Sequence, residues 1–589
     1  MDKLSTLYNL LYKKHLRNFI DENNIIHKDI ENILLCKKAE NKQFNQVIKL
    51  IEQKVCCEIS DEVIDKLAKG DLGDLYFEEN KIAINDESIN KISELRSVDN
   101  LELNESHITN SYKQVVITSN ILLTLPKDYD NFQFTSKSLI DMNEQQENWY
   151  DHPIPLDIDD KSNEIIYGLT NLSESIKMET DEIVTVILSV SVTHKSLNLI
   201  AKEYIQSKLY DKDVSNLDIY IFTEDECNQL TKTLDSNDKD LQSTLGVCGR
   251  YGRHYSFLKA ITPLFKQVVN NDVTATFKID LDQVFPQKEL KKATGKYAFE
   301  NFMSKKWGAR GTDSIGRSIK LSMAAGGLVN ESDIDDYLFI PDVKKPKANL
   351  NIEQLFFNSS RPQYVSTVGE ICKQYASENE CIIRYHVTGG VNGILVDDLV
   401  RFRPFTPSFF TRAEDQGYLL SVINKEVDGE YMRCAHLDKF VMRHDKEAFL
   451  SEDLKHFEIP KSVGDFERML IFSHYSYDIL GCGDLIKQEL FPFTGSFVLR
   501  RPYTSLLLRL LTRLLSLSET DGNVFLQSFI PRITELINNI DNSVLRNTYV
   551  KEKDAYDRYY DMLLVGIDGN VKEKLSEIFE SARINLHSN

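Results

Sequence analysis

Three apolar runs with strand character, separated by helical patterns, fix the class of fold that the middle of this chain can adopt. The runs cover residues 183–192, 217–222 and 273–279, and acidic residues follow the second and the third. Strands that alternate with helices form an α/β domain around a mostly parallel sheet. Because such sheets bind ligands outside the carboxyl ends of their strands, the acidic residues mark the edge where chemistry is expected.

Helical patterns flank this middle region on both sides. Apolar residues recur at helical spacing at positions 7, 10 and 11 and again at 30, 33 and 34. Further helices are predicted over residues 466–480, 503–517, 524–540 and 571–586. We therefore predict an N-terminal helical domain over 1–112, an α/β domain over 113–450 and a C-terminal helical domain over 451–589.

Composition excludes several classes of function. The 589 residues carry a net charge of −20, which argues against nucleic-acid binding because phosphate contacts need a basic surface. The N-terminus has no apolar leader, and no window of about 18 apolar residues predicts a transmembrane segment. The richest window, residues 506–517, is broken by Arg509 and Arg513, which favours a buried amphipathic helix over a membrane-surface helix. Nine Cys residues without zinc-site spacing fit reduced thiols, so a cytoplasmic protein is expected.

The third apolar run ends in Asp280-Leu281-Asp282. Two carboxylates at positions i and i+2 after a buried strand can face one divalent cation together. A hard cation prefers such oxygen ligands and shares them with a diphosphate. A solvated acidic turn is the other interpretation of this motif.

A second motif is Arg412-Ala413-Glu414-Asp415, which follows Gly389-Gly390 and precedes a helix predicted over residues 418–423. Acidic residues at a helix N-terminus stabilise the helix, so a capping role is one interpretation. A carboxylate in this position can also bind an acceptor hydroxyl or act as a general base.

A third motif is Arg443-His444-Asp445, at the end of a strand-like run that begins at residue 431. A His at a strand end can complete a metal site that carboxylates begin. His436, eight residues earlier, is the competing candidate. A purely structural His is the alternative for either position.

In this order, the three motifs resemble the GT-A glycosyltransferases, and they are most similar to the retaining synthases of mannosylglycerate and glucosylglycerate. The similarity covers about residues 183–445 and is one of motifs and spacing. It implies a Rossmann-like domain that moves a sugar from a UDP-, GDP- or ADP-sugar to a hydroxyl acceptor, with retention. It also implies Mn²⁺ or Mg²⁺ as cofactor, and a homo-oligomer is among the expectations.

The resemblance also assigns roles to residues. The metal ligands would be Asp280, Asp282 and His444. The nucleotide-sugar donor would be bound by Ser189, Ser191, Glu224, Arg253 and Asp280. The acceptor would be bound by Gly389, Gly390 and Arg412. The catalytic residues would be Asp415, which meets the acceptor hydroxyl, and Arg250, which stabilises the departing diphosphate.

Two departures from the family pattern stand out. Where family members carry a Gly-Lys-Gly type loop on the diphosphate, this chain has Arg250 and Arg253, and arginine can do the same electrostatic work. The stretch between the Asp-x-Asp and the Gly-Gly is long, and its residues 288–320 hold nine basic and three acidic side chains. This segment is predicted to be either a basic loop that attracts an anionic substrate or a solvated surface.

Two other functions compete with glycosyl transfer. One is a catalytically degenerate sugar-nucleotide-binding scaffold that acts through its helical domains. The other is a nucleotidyltransferase, which also uses paired aspartates on a Rossmann-like sheet. It ranks lower because the first strand is followed by no Gly-rich signature.

Overall fold

The computed structural model describes residues 3–11, 42–69, 83–105, 108–150, 153–331, 345, 360–371, 379–387, 389–445, 455–492 and 497–584. The helical prediction around residues 30–34 and Thr388, next to Gly389, lie outside this set. The described strands are β1 Asp99–Glu102, β2 Val115–Thr124, β3 Ile154–Pro155, β4 Val184–Val192, β5 Leu217–Phe222, β6 Ala275–Ile279, β7 Gln283–Val284, β8 Arg310–Thr312, β9 Ser318–Asn330, β10 Val391–Leu395, β11 Glu426–Val427 and β12 Glu430–His444.

The described α-helices, in chain order, are α1 Lys3–Leu11, α2 Lys42–Glu58, α3 Asp61–Lys69, α4 Asp86–Leu95, α5 Ser111–Gln114, α6 Glu164–Lys177, α7 Ala201–Leu209, α8 Glu224–Leu234, α9 Lys239–Thr244, α10 Tyr251–Val268, α11 Gln287–Thr294, α12 Ala298–Asn301, α13 Ser360–Ile371, α14 Val396–Phe402, α15 Glu414–Leu420, α16 Lys455–His474, α17 Gly483–Leu490, α18 Pro502–Ser516, α19 Glu519–Asp541, α20 Val544–Val565 and α21 Gly569–Ala582. Short 3₁₀ turns cover Lys137–Leu139, Asp160–Ser162 and Lys195–Leu199, and a π turn covers Tyr475–Ile479. Among the described helices, none is long and apolar enough to cross a membrane.

The chain forms two compact units. One combines residues 1–89, 343–366 and 452–546, and the other combines residues 90–342, 367–451 and 547–589. Both units draw on distant parts of the sequence. The domain boundaries predicted at 112 and 450 remain a prediction.

A large mixed sheet forms the core of the second unit. Its path runs β1-β8-β9-β10-β6-β2-β4-β5, and the central strands β6, β2, β4 and β5 are parallel. The α/β fold class is therefore confirmed, and the predicted parallel pairing holds for this central part. These four strands are mainly apolar and most of their residues are buried, as is usual for strands covered on both faces of a sheet.

The rest of the sheet is largely antiparallel around one long strand pair. β10 pairs antiparallel with both β6 and β9, and β12 runs parallel to β9 over most of its length. The end of β12 stays paired with β9 and also pairs antiparallel with β7, where Arg443 lies opposite Val284 and His444 opposite Gln283. This second pairing brings the end of β12 next to the residues that follow β6.

Helix α10 covers the central strands on one face, against β2 and β4. Its N-terminal half is buried almost completely, including the polar residues His254 and Lys259. Gly252 makes the close contact with the following segment possible, because a Cβ there would lie 2.0 Å from the carbonyl oxygen of Pro407. Between β5 and β6 the chain forms three helices, α8, α9 and α10.

The first unit is helical. α2 packs against α18 and α19, and α16 packs against both of those helices. Apolar residues predicted to form a stripe in the window 506–517 are buried, among them Leu506, Leu510 and Leu511. Glu58, at the end of α2, caps α18 by accepting hydrogen bonds from the backbone N–H groups of Tyr503 (3.0 Å) and Thr504 (2.7 Å).

Candidate active site

The motif Asp280-Leu281-Asp282 lies at the carboxyl edge of the parallel strands, directly after β6. Asp280 begins a tight turn, since its carbonyl accepts from the N–H of Gln283, and its carboxylate accepts from the Gln283 side chain at 3.1 Å. The buried side chain of Lys278 also donates to this carboxylate. Asp280 is thus held by the protein on both of its carboxylate oxygens.

Asp282 lies next to His444. Oδ2 of Asp282 is 3.1 Å from Nε2 of His444, although the two residues are 162 positions apart in the sequence. Both side chains are partly exposed, at 24% and 17%. The competing candidate His436 lies elsewhere on β12, buried and beside the backbone of Ile382.

The Asp282–His444 pair fits a divalent cation. Two ligands with bonds of about 2.1 Å at right angles lie about 3 Å apart, which matches their separation. Asp280 does not complete the set as it stands, because Lys278 and Gln283 occupy its oxygens. Within the described ranges, no group of three His, Cys, Asp or Glu side chains converges on one point. A cation here would therefore need oxygens from a ligand or from water in addition to the pair.

Backbone contacts fix this pair in position. The N–H of Asp445 donates to the carbonyl of Asp282 at 3.1 Å, next to the β12–β7 pairing. Asp445 itself accepts two hydrogen bonds from Arg443, at 2.7 and 2.6 Å, and one from the hydroxyl of Tyr167 on α6. The His444 imidazole and the Asp282 carboxylate are therefore held in place by the hydrogen bonds of Asp445.

Helix α6 contacts the same turn at Gly168. A Cβ at this position would lie 2.7 Å from the carbonyl oxygen and 2.8 Å from the Cα of Leu281. Such distances are shorter than any normal contact, so only Gly allows the helix to approach this closely. No motif in the sequence predicted that α6 is part of the site.

Glu164, the first residue of α6, is a functional candidate that the sequence analysis missed. Burial, together with the nearby carboxylates of Asp282 and Asp280, raises the pKa of Glu164 to about 8. A carboxyl group with such a pKa near paired acids is typical of functional sites. Its sequence context, a lone Glu after an N-cap Asn, gave no signal of this role.

Gly389 and Gly390 lie between Asp280 and Asp415. A Cβ on Gly390 would lie 2.4 Å from Oδ2 of Asp280, and a Cβ on Gly389 would lie 3.9 Å from Oδ2 of Asp415. Asp415 is 8% exposed, and burial followed by the charge of Glu414 raises its pKa to about 7. A carboxylate with this pKa is well matched to accept or share a proton near neutral pH.

A buried hydrogen-bond network holds the backbone of the Gly389-Gly390 segment. Asn392 donates to the carbonyl of Gly389 at 2.9 Å and accepts from Nζ of Lys259 (2.9 Å) and from the hydroxyl of Tyr255 (3.0 Å). Lys278 donates to the same Gly389 carbonyl at 3.2 Å. The network connects the predicted acceptor residues to Asp280 through protein hydrogen bonds.

The two lysines of this network differ in charge preference. Burial opposes the ammonium of Lys278, but the carboxylates of Asp280 and Glu414 outweigh it and keep its pKa above the ordinary value. Burial and the ammonium of Lys278 hold the pKa of Lys259 well below its usual range. The protonated form is therefore favoured at Lys278 and disfavoured at Lys259.

A second group of predicted residues lies at the ends of β4 and β5. Oε2 of Glu224 accepts from the N–H groups of Val247 (3.0 Å) and Cys248 (2.9 Å), and Arg253 forms a two-point ion pair with the same carboxylate. Ser191 donates to the carbonyl of Val247. Glu224, Arg253 and Ser191 thus hold the 247–248 segment in this structure, and their predicted contacts with a donor remain a prediction.

The remaining predicted residues lie at several places. Ser189 is fully buried on β4, two residues before Ser191. Arg250 is the N-cap residue of α10, and Arg412 lies just before α15. Ala413, between Arg412 and α15, adopts a left-handed backbone conformation with φ 55°, which is uncommon for a residue with a side chain.

The basic segment 288–320 is not an open loop. Trp307 is 1% exposed, and Arg310–Thr312 forms β8 between β1 and β9. Five of its basic side chains pair with acids: Lys291 with Glu300, Lys305 with Glu105, Arg310 with Glu430, Arg317 with Asp313, and Lys320 with Asp398. These pairs offset much of the positive charge that the sequence shows locally.

No known family model matches the chain, and no curated protein is significantly similar to it. The family resemblance therefore depends on the motifs alone. The function must be proposed from the residues and their geometry.

Proposed function

We propose that this protein is a metal-dependent glycosyltransferase with a GT-A type domain, which moves a sugar from a nucleotide-diphospho-sugar to a hydroxyl acceptor. The observation that supports it most is the 3.1 Å approach of Asp282 to His444 at the carboxyl edge of the parallel strands. Ligands of open α/β sheets bind at that edge. A carboxylate and an imidazole at chelating distance there match the pattern from which the resemblance was drawn.

The proposed roles follow from charge and position. A divalent cation held by Asp282 and His444 would supply positive charge beside the departing diphosphate. Asp280, fixed by Lys278 and Gln283, would contact the ribose and the outer coordination sphere of the cation. Arg250 would add a charge-assisted hydrogen bond to the phosphate.

Asp415 would act on the acceptor. Gly389 lies beside this residue, since a Cβ there would be 3.9 Å from Oδ2 of Asp415, whereas the position next to Gly390 is filled by Asp280 and Gln283. In a retaining reaction, which the resemblance favours, Asp415 would orient the acceptor hydroxyl. In an inverting reaction it would take the proton as general base.

The test is nucleoside diphosphate release and thermal stabilisation with UDP-, GDP- and ADP-sugars, with and without Mn²⁺. A ligand that binds the native state raises the melting temperature. We expect one donor class to stabilise the protein only with metal, and slow release of its nucleoside diphosphate without acceptor. Asp282→Ala and His444→Ala should abolish both effects, whereas Asp181→Ala, at an exposed position outside the site, should retain them. No stabilisation and no release with any donor would contradict the proposal.

A non-catalytic sugar-nucleotide-binding scaffold is the second candidate. It is favoured by one observation, the occupation of both Asp280 carboxylate oxygens by Lys278 and Gln283. In that case the donor would stabilise the protein without any release of nucleoside diphosphate. Metal would then have little effect on binding.

A further inference from the structure

Trp149 is a tryptophan exposed at the carboxyl end of the parallel strands. Its side chain is 78% exposed. Single exposed apolar residues are common, so exposure alone carries little information. The position and the fixed backbone of Trp149 make it different from an ordinary surface residue.

The residues before Trp149 are anchored to the end of β4. The N–H groups of Glu147 and Asn148 both donate to the carbonyl of Thr193, at 2.9 and 3.2 Å. The side-chain amide of Asn148 donates to the carbonyl of Val192 at 3.0 Å. The indole is therefore attached to the last residues of a central strand.

The residue after Trp149 is anchored too. Tyr150 is 8% exposed, and its ring packs edge-to-face against Tyr251 (5.7 Å) and His254 (6.2 Å) on α10. With both neighbours fixed, the Trp149 ring is presented to solvent. Burial, together with the nearby Cys248 and Glu224, raises the pKa of Tyr150, so the residue beside Trp149 lies near Glu224, one of the residues predicted to bind the donor.

Two buried polar residues, one on β4 and one on α10, lack side-chain hydrogen-bond partners in the described part of the chain. Ser189 is fully buried and His254 is 2% exposed, yet the Ser189 hydroxyl and both ring nitrogens of His254 have no hydrogen-bond partner among the described residues. Burial and the charges of Lys278 and Arg253 lower the pKa of His254 to about 3, so the ring is neutral and offers one donor and one acceptor. Buried polar groups of this kind are normally satisfied, by protein, by water or by a ligand.

We propose that the nucleobase of the sugar donor stacks on the exposed ring of Trp149. This inference rests on the proposed function. Aromatic stacking tolerates any base, because every base has a π-face, and polar groups at its edge add selectivity. Trp149 is then a donor-binding residue that lies outside the three motifs.

The chain itself provides the reporter for a test. It contains only two tryptophans, and Trp307 is 1% exposed, so ligand-accessible tryptophan fluorescence comes from Trp149. We would titrate the full-length protein with UDP, GDP and ADP in the presence of Mn²⁺. Titrations of free N-acetyltryptophanamide would correct for absorption by the nucleotides.

We expect saturable quenching by at least one nucleotide, lost in Trp149→Phe and retained in the matched variant Trp307→Phe. In calorimetry, Trp149→Ala should weaken binding of that nucleotide by about 5- to 150-fold, while Trp149→Phe, which keeps an aromatic face, should lose less. Unchanged melting temperatures would show that the variants are folded.

Three results would overturn the inference, and they separate it from the proposed function. Nucleotide binding by calorimetry, without quenching and unchanged in Trp149→Ala, would refute the role of Trp149 alone. Quenching by methyl glycosides but not by nucleotides would assign the ring to a sugar acceptor instead. Absence of nucleotide binding in every assay would refute both the stacking role and the transferase itself.

Discussion

Gly168 offers the sharpest test of how the site is built. In Gly168→Ala, the new Cβ would lie 2.7 Å from the carbonyl oxygen of Leu281 and 2.8 Å from its Cα, so the backbone of helix α6 or of the acidic turn must move. Overpacking of this kind costs about 1–3 kcal/mol. Alanine regains up to about 1 kcal/mol through helix propensity. We expect a net loss of about 1–2 kcal/mol in the free energy of unfolding.

Gly569 provides the matched control, because it also lies in a helix but has no atom within 4 Å of its virtual Cβ. Gly569→Ala should leave stability unchanged or raise it by about 0.4–1 kcal/mol. Urea unfolding of both full-length variants measures the difference. The metal-dependent thermal shift gives a second measurement, since displacement of Leu281 moves Asp282. Equal stability of the two variants would refute the close approach of α6 to the acidic turn.

Three further predictions concern titration and buried polar contacts. If Asp415 accepts a proton from the acceptor, activity should rise with pH through an apparent pKa of about 7, and Asp415→Asn should remove this limb of the pH–rate profile. Burial raises the pKa of Glu552 from 4.5 to about 7, so the folded state favours the protonated acid; stability should fall by about 3 kcal/mol as pH rises from about 4.5 through 7, and urea unfolding of Glu552→Gln should show no such fall. Asn392→Ala should lose about 2 kcal/mol or more in urea unfolding because buried Lys259 and Tyr255 lose their side-chain acceptor, whereas Asn392→Asp should lose less; equal losses would contradict this role.

The central strands were predictable because their chemistry is local. β5 matches its predicted run, 217–222, and β4 matches within one residue, since uninterrupted apolar residues have few alternatives to a buried strand. β9 was missed because its centre reads Ala-Ala-Gly-Gly and it follows a basic segment. Its signal is tertiary: a Cβ on Gly326 would lie 1.7 Å from the carbonyl oxygen of Phe440 on β12.

The candidate site also contains some residues whose proximity was predicted and others whose roles depend on tertiary contacts. The resemblance implied that Asp282 and His444 lie close together, whereas the residues alone left His436 as a competing candidate. The roles of Lys278 and Asn392 were not predicted, because a Lys or an Asn inside an apolar strand does not indicate which residues it will contact. Their roles depend on pairings across more than 100 residues of sequence.

The pairing of β12 with β9 makes the position of His444 depend on the number of residues between it and Val441. From His436 to Val441, β12 advances by five residues while its partner β9 advances by two. From Val441 to His444, the two strands pair residue by residue. Because neighbouring residues in a strand point to opposite faces, deleting or inserting one residue after Val441 would turn the imidazole away from Asp282. Length changes at Leu437–Phe440 would instead fall in the irregular stretch. Engineered insertions, and natural length variation among homologues, are therefore expected to collect there and to be excluded from the four residues that follow.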